Sequence, residues 1–370
     1  MKALVLGQGK SGEASATLLR SCGYEVSFAD GYDLVVTSPG LRTKSELQLG
    51  CEELKRRGWK LLAVTGSKGK SSVVKVVADA IGGVPCGNYG KPVCEVAFEG
   101  GRRETEGGKA RWAVVEVSSF QLETTTLPPD TFEAAAILNL QEDHLDRHGS
   151  VEVYHGLKRK LLSFAVRNLV DDGISSERRS IGASEHLWTG SYFDNEILAG
   201  NAAIAVELMR VAGLDDAKIA AAFRNFKPLP HRMNLVSEID GVRYVDDSKA
   251  TSIAALIAGV KMAGRDIRLI AGGLPKGDDP GMALATLTER VKKVYLIGQS
   301  ADAFSAAWKG AADCEVCGTM DKAVEKAMRE AEKGETVLLS PGTASFDQFQ
   351  SYGERGDVFA RLVKKEGQPK

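Results

Sequence analysis

Short apolar runs alternate along nearly the whole chain with longer stretches of helical character. The first kind includes Ala3–Leu6, Leu61–Val64, Trp112–Val117 and Ile267–Ala271; the second includes Lys44–Arg57 and Gly200–Ala212. This alternation predicts an α/β protein built on parallel sheets. Residues 1–60 form a first unit, with strands near Ala3–Leu6, Glu25–Ala29 and Leu34–Thr37 and a helix over Lys44–Arg57. Residues 61–227 form a second, with strands at Leu61–Val64, Trp112–Val117 and Ala134–Asn139. Within it, Gly100–Lys109 reads as an exposed hairpin, Asn168–Asp194 as irregular short strands or a flap, and Gly200–Ala212 as a helix ending at Gly213. Two prolines in Phe226-Lys227-Pro228-Leu229-Pro230 mark a linker. Residues 228–370 carry strands near Val242–Val245, Ile267–Ala271, Val294–Ile297, Glu315–Cys317 and Thr336–Leu339, the pattern of an open doubly wound sheet. Three domains follow, with boundaries at 1–60, 61–227 and 228–370.

Composition narrows the class. With 370 residues, 43% hydrophobic and 26% charged, the chain has the balance of a soluble globular protein. A net charge of -1 leaves no basic footprint for nucleic acid or a membrane surface. Ala3–Leu6 is too short for a signal-peptide core, and no run approaches a membrane span, so a cytoplasmic protein is expected. Of six cysteines only Cys314 and Cys317 have a metal-like or redox spacing, with no second pair. Six reduced thiols are therefore expected.

The chemistry starts at Thr65-Gly66-Ser67-Lys68-Gly69-Lys70-Ser71-Ser72, between a predicted strand and a predicted helix. A strand, a glycine turn and a helix N-terminus aim backbone N–H groups and a positive dipole end at one spot. Gly66 and Gly69 let the backbone close around phosphate, Lys70 supplies a charge, and the Ser71 hydroxyl suits Mg²⁺. The spacing is shorter than the ordinary phosphate loop, so this is a variant of a nucleotide triphosphate site. Gly7-Gln8-Gly9-Lys10-Ser11-Gly12 follows the first strand, and Asp30 ends the second, as in a dinucleotide fingerprint. Only one half-fold fits before residue 60, so a nucleotide diphosphate such as UDP suits the loop better than NAD. A turn that merely packs helix on strand is the bland alternative.

Glu116 stands where a Mg²⁺ ligand should, at a strand's C-terminal end beside the phosphate loop. Glu123 reads as a solvated helix residue. His144, among acids at another strand end, is a candidate for metal or substrate. Lys158 reads as part of a solvent-facing basic helix face. Beyond the linker, Pro230-His231-Arg232, Asp246-Asp247-Ser248-Lys249-Ala250-Thr251, Gly272-Gly273-Leu274-Pro275-Lys276-Gly277 and Ser340–Ser345 close strands at one sheet edge.

These segments together resemble the Mur ligase family over nearly the whole chain. T-G-S-x-G-K-S at 65–71 looks like its ATP loop. E-x-S-S-F-Q-L-E at 116–123, D-S-K-A-T at 247–251 and L-L-S-P-x-x-A-S-x-D-Q-F at 338–349 look like the branch that adds D-glutamate. The resemblance implies a short Rossmann-like N-terminal domain, a P-loop ATPase-like middle domain and a Rossmann-like C-terminal domain closing on substrates at hinges near 60 and 228. It implies a monomeric enzyme that phosphorylates the carboxylate of UDP-N-acetylmuramoyl-L-alanine with ATP, after which D-glutamate attacks the acyl phosphate. Lys70, Glu116, His144, Lys158 and Lys249 would be catalytic. Gly66 to Ser72, Asn201, Arg232 and Asp247 would hold ATP. Gly7, Gly9, Lys10, Ser11, Gly12, Asp30 and Asn88 would hold the UDP-sugar, and Thr251, Lys276, Ser345 and Tyr352 the D-glutamate. Two Mg²⁺ ions would sit on Ser71, Glu116, His144 and Lys158, the last as a carbamate. The chain departs from the family pattern at Lys68 (usually Asn), at Leu198-Ala199-Gly200 before Asn201, at Tyr352 (usually Phe), and in its short N-terminal unit and 168–194 region. A related ligase for another acid and amine, a nicotinamide-dependent oxidoreductase, and an impaired binding-only paralogue are the alternatives.

Overall fold

The computed structural model describes residues 2–29, 34–37, 42–100, 110–141, 144–170 and 184–366. Asp30 and nearly all of the expected Gly100–Lys109 hairpin lie outside them. Contacts divide the chain into two units: Met1–Asp194 with Leu198–Phe226, and Asn195–Ile197 with Lys227–Lys370. Among the described residues no helix is long and apolar enough to cross a membrane.

The first unit holds two sheets. β1 (Lys2–Leu6), β2 (Glu25–Ala29), β3 (Leu34–Thr37) and β4 (Arg42–Ser45) line up as β2-β1-β3-β4. β2 runs parallel to β1, but β3 and β4 are antiparallel to their neighbours. The expected helix over Lys44–Arg57 is therefore shorter, Glu46–Arg56, because Lys44 and Ser45 belong to β4 and the Ser45 hydroxyl caps the Gln48 N–H at 3.1 Å. This sheet has only a small core of its own in Ala3, Val5, Ala16 and Leu19. Its helices bury Leu18, Leu47, Cys51 and Leu54 in a core shared with the next sheet. A unit of about sixty residues buries only about 60% of its unfolded surface and is marginal by itself, so a core shared with the next sheet adds stability.

β5 (Lys60–Thr65), β6 (Val84–Gly87), β7 (Trp112–Glu116), β8 (Phe132–Ile137) and β9 (Ala165–Val170) form an all-parallel sheet in the order β6-β7-β5-β8-β9. β5 lies at its centre, and Leu61 to Val64 are fully buried, as a strand covered on both faces requires. β6 and β9 escape the sequence pattern because each is short or half polar.

The second unit holds β10 (Asn234–Ile239), β11 (Val242–Asp246), β12 (Ile267–Gly272), β13 (Val291–Ile297), β14 (Asp313–Gly318) and β15 (Thr336–Leu339), ordered β10-β11-β15-β12-β13-β14. All pairs are parallel except β10 with β11. That hairpin turns at Asp240-Gly241, both with positive φ (52° and 77°), the type I′ geometry that Asp-Gly favours. The Asp-Gly dipeptide is the local signal for β10, a strand not among those expected above. All six cysteines are free thiols, and Cys314 and Cys317 sit on edge strand β14.

Candidate active site

The centre of the first unit's chemistry follows from strand order. β5 lies between β7 and β8, and its register sets Val64 opposite Glu116 and Thr65 opposite Ile137. The loops after these three strands therefore share one edge. Gly66 (φ 151°) and Gly69 (φ 82°) carry the chain into the helix Lys70–Ile81, whose first turn has neither a side-chain cap nor an acidic residue. An N-terminus of that kind is an anion site. Lys70 Nζ donates to the carbonyls of Gly66 (2.9 Å) and Ser67 (3.2 Å). Ser71, second in the helix, is half-buried, whereas Lys68 is exposed.

The middle of the loop is held by the expected Asn201 together with Asn139, Gln141 and Tyr154, which the sequence did not single out. Asn139, just after β8, accepts the Lys68 N–H (2.8 Å) and donates to the Lys68 carbonyl (2.9 Å) and to Asn201 Oδ1 (3.3 Å). Asn201 in turn fills the space at Gly69, where an added Cβ would lie 1.9 Å from its Nδ2. Ser67 Oγ donates to the Gln141 carbonyl at 2.9 Å and accepts the Tyr154 hydroxyl at 3.2 Å. Tyr154 and Lys158 are four apart on the helix Val151–Lys160, so one face carries both toward the loop.

Lys158 overturns the solvent-facing expectation. It is 2% exposed, donates from Nζ to the Gly66 carbonyl at 3.0 Å, and lies 4.5 Å from the Tyr154 ring centroid. Helical periodicity could not show this, because what buries Lys158 is the loop after a strand nearly a hundred residues away. Glu123 is likewise not merely solvated. It accepts from Arg147 Nη2 at 2.8 Å and pairs with His148 Nδ1 at 3.2 Å, and Arg147 helps hold its carboxyl below the usual range. The exposed His144, at φ 52°, sets its ring 5.0 Å from Phe120 and 6.2 Å from Tyr154.

Glu116 is 2% exposed. Its Oε1 accepts from Asn88 Nδ2 at 2.8 Å, while Oε2 is buried without a hydrogen-bond partner among the described residues. An orphaned carboxylate oxygen beside a phosphate loop fits a hard divalent cation. Among the described residues no three His, Cys, Asp or Glu side chains cluster as a ready-made metal site. Asn88 thus turns to Glu116, while the cleft beside Gly9 and Lys10, about 1050 Å³, is walled opposite by Gly90, Lys91 and Pro92. In the same loop Gly12 packs so closely on Gly7 that a Cβ would lie 2.2 Å from the Gly7 carbonyl oxygen. Ser11 lies in the first turn of the helix Lys10–Ser21.

In the second unit, β11, β15 and β12 are adjacent and end at Asp246, Leu339 and Gly272. Their loops bring Asp247, Lys249 and Thr251, then Ser345, then Lys276 to one edge. An antiparallel bridge between Leu274 and Ala344 ties the last two loops. Ser345 is buried, Thr251, Lys249 and Arg232 half-buried, and Lys276 exposed. Lys249 Nζ stands 3.9 Å from the centroid of Tyr352, a cation–π contact. His231 Nδ1 meets Asp246 Oδ2 at 2.7 Å, and the His231 carbonyl accepts the Lys249 N–H at 3.0 Å.

Burial pushes the Asp247 carboxyl up to about 7, against the Ser340 hydroxyl bond that lowers it. A raised carboxyl leaves the folded state relatively more stable below the unfolded value of 3.8, and that advantage is lost as pH rises through about 7. A shift near three units corresponds to at most about 4 kcal/mol. Asp247→Asn is therefore expected to gain stability over the parent protein as pH is raised from 4 to 8. Chemical denaturation across that range measures it, and a pH-independent difference would refute the buried charge.

Two family models match the chain: the Mur ligase middle domain over residues 64–179 and the Mur ligase, glutamate ligase domain over 231–342. The UDP-N-acetylmuramoylalanine--D-glutamate ligase of Nitratidesulfovibrio vulgaris (strain DP4) is 32% identical, over 98% of this chain and 96% of its own length. The chain belongs to the Mur ligase family. The ligase of the same name from Elusimicrobium minutum (strain Pei191) is 30% identical over 98% and 97%. Among solved structures, the MurF ligase from Thermotoga maritima in complex with ADP aligns with a TM-score of 0.60 at 16% identity, over 98% of this chain and 95% of its own. At that identity the match speaks for the fold: the Mur ligase architecture is α/β with parallel sheets, as the alternation of apolar runs predicts.

Proposed function

We propose that this Mur ligase joins the amine of D-glutamate to the carboxylate of UDP-N-acetylmuramoyl-L-alanine with ATP, in cytoplasmic peptidoglycan precursor synthesis. The near-full-length identity with ligases of that name carries the reading, and the phosphate loop between Glu116 and Asn139 supports it. The substrate carboxylate oxygen attacks the γ-phosphorus and ADP leaves. The amine of D-glutamate then attacks the acyl carbon, phosphate departs, and the nitrogen loses its proton. Residues 1–60 and the cleft beside Gly7, Gly9, Lys10, Ser11 and Gly12 receive the UDP-sugar, with Asn88 at its margin. Residues 61–227 bind ATP through Gly66 to Ser72 and Asn201. Residues 228–370 supply Arg232, Asp247 and Lys249 to the nucleotide, and Thr251, Lys276, Ser345 and Tyr352 to D-glutamate.

Lys70 exchanges its two carbonyl bonds for the transferring phosphoryl group and stabilises charge there. Glu116 with Ser71, and His144 with carbamylated Lys158, are the residues that would hold two Mg²⁺ ions. Those ions would neutralise phosphate charge. The protein works as a monomer. Phosphate release from ATP with Mg²⁺, UDP-N-acetylmuramoyl-L-alanine and D-glutamate tests the reading. Release should require both substrates and vanish in Lys70→Ala; release indifferent to D-glutamate would send the search to another amine.

A further inference from the structure

Among the described residues Arg355 is the one arginine in the set of large side chains buried to under 2%, and it is 0% exposed. It lies one turn into the helix Tyr352–Glu366, three residues after Tyr352. Its partners are all uncharged. Nε donates to Ser248 Oγ (2.9 Å), Nη2 to the carbonyls of Ser248 (2.9 Å) and Thr343 (3.1 Å), and Nη1 to the Ala344 carbonyl (3.2 Å). Ser248 Oγ then donates to the Tyr352 carbonyl at 2.8 Å. Among the described residues no carboxylate lies within ion-pair distance of the guanidinium; Asp347 and Asp246 act on it only from further away. Burial drags its pKa down to about 10. A buried cation without a carboxylate is costly, and a hydrophobic side chain would fill the space more cheaply. Every group it grips adjoins a residue assigned above to substrate: Ser248 lies between Asp247 and Lys249, Thr343 and Ala344 precede Ser345, and Ala344 pairs with Leu274 on the loop of Lys276.

We propose that Arg355 is a positioning residue that clips the loop 246–251, which carries Asp247, Lys249 and Thr251, to the D-glutamate-side loops 343–345 and 273–277. It fixes the spacing between Lys249 and the groups that orient the attacking amine. The planar fork suits the task because it reaches two strand-end loops at once with fixed angles, which a lysine ammonium cannot do. A displacement near 1 Å between reacting groups costs about a hundredfold in rate. The loss therefore falls on the turnover step, since ATP also binds the phosphate loop of the first unit. The inference rests on the function proposed above for its kinetic consequence, but not for the clip itself.

The test uses the full chain with Arg355→Met, Arg355→Lys and Ser248→Ala, assayed for phosphate release and for amide hydrogen exchange. Arg355→Met and Arg355→Lys should lower kcat about a hundredfold and raise the KM for D-glutamate, with the KM for ATP changed less than about threefold. Exchange should rise together at 246–251, 273–277 and 343–345 and stay unchanged in β12 and β13. Ser248→Ala, which keeps all three carbonyl acceptors, should show the same pattern at about a tenth of the effect, and decides the matter if the arginine variants fail to fold. Wild-type kinetics in Arg355→Lys or Ser248→Ala, or exchange raised across the whole sheet, would overturn the clip. If the parent protein is itself inactive with D-glutamate, the function reading fails, while the exchange pattern still judges the clip.

Discussion

Replacing Lys158 with alanine is expected to leave a folded protein whose phosphate release with both substrates is slower by about a thousandfold. The Gly66 carbonyl oxygen accepts from Lys158 Nζ and from Lys70 Nζ. Both side chains therefore hold the loop at one oxygen, and losing Lys158 leaves Lys70 to hold that carbonyl. In its neutral form a lysine amine attacks the carbon of CO₂ and releases one proton to leave a carbamate. If it works in that form, formate or acetate should restore part of the alanine variant's rate by returning an oxygen ligand to the site. Carbon dioxide removal should also slow the parent protein. Should small acids restore nothing while Lys158→Arg stays active, the side chain works as a cation that fixes Gly66, and the carbamate is wrong.

Glu116→Gln should separate activity from stability. Glutamine keeps an oxygen to accept from Asn88 but replaces the orphaned Oε2 with an N–H donor that repels a cation. The Mg²⁺ concentration for half-maximal rate is expected to rise at least about tenfold, and the saturated rate to fall about a hundredfold. The melting temperature should hold or rise, because a buried carboxylate oxygen without a partner is a standing cost in the folded state. Rate against Mg²⁺ concentration and a thermal melt test both halves. An unchanged Mg²⁺ dependence would remove Glu116 from the metal site.

The alternation of apolar runs and helical stretches was enough for the α/β class, and the Gly66–Ser72 loop was legible because its glycines, lysine and serines are contiguous. Nearly every strand of the second unit was legible too, since each is a short apolar run ending at a loop with Gly, Pro or Asp. What was not legible shares one cause. Asn139, Tyr154, Lys158 and Arg355 are unremarkable in their local segments and acquire their roles from partners far along the chain. Lys158 reaches Gly66 across 92 positions and Arg355 reaches Ser248 across 107. Sequence periodicity reports which face of an element is apolar, so a buried cation on a polar face is invisible to it.

Strand-to-loop junctions were set by local composition, because backbone propensity, glycine geometry and turn chemistry act within a few residues. Which junctions share an edge was decided by strand order, β7-β5-β8 in one sheet and β11-β15-β12 in the other. That order puts Glu116 level with Val64 and joins Leu274 to Ala344, though neither pair is close in sequence. Burial then decided the chemistry. Excluding water from Glu116, Lys158, Asp247 and Arg355 turns four ordinary charged residues into groups with an orphaned oxygen, a shared carbonyl, a raised acid and an uncompensated cation. Those states exist only once the tertiary structure has closed around them.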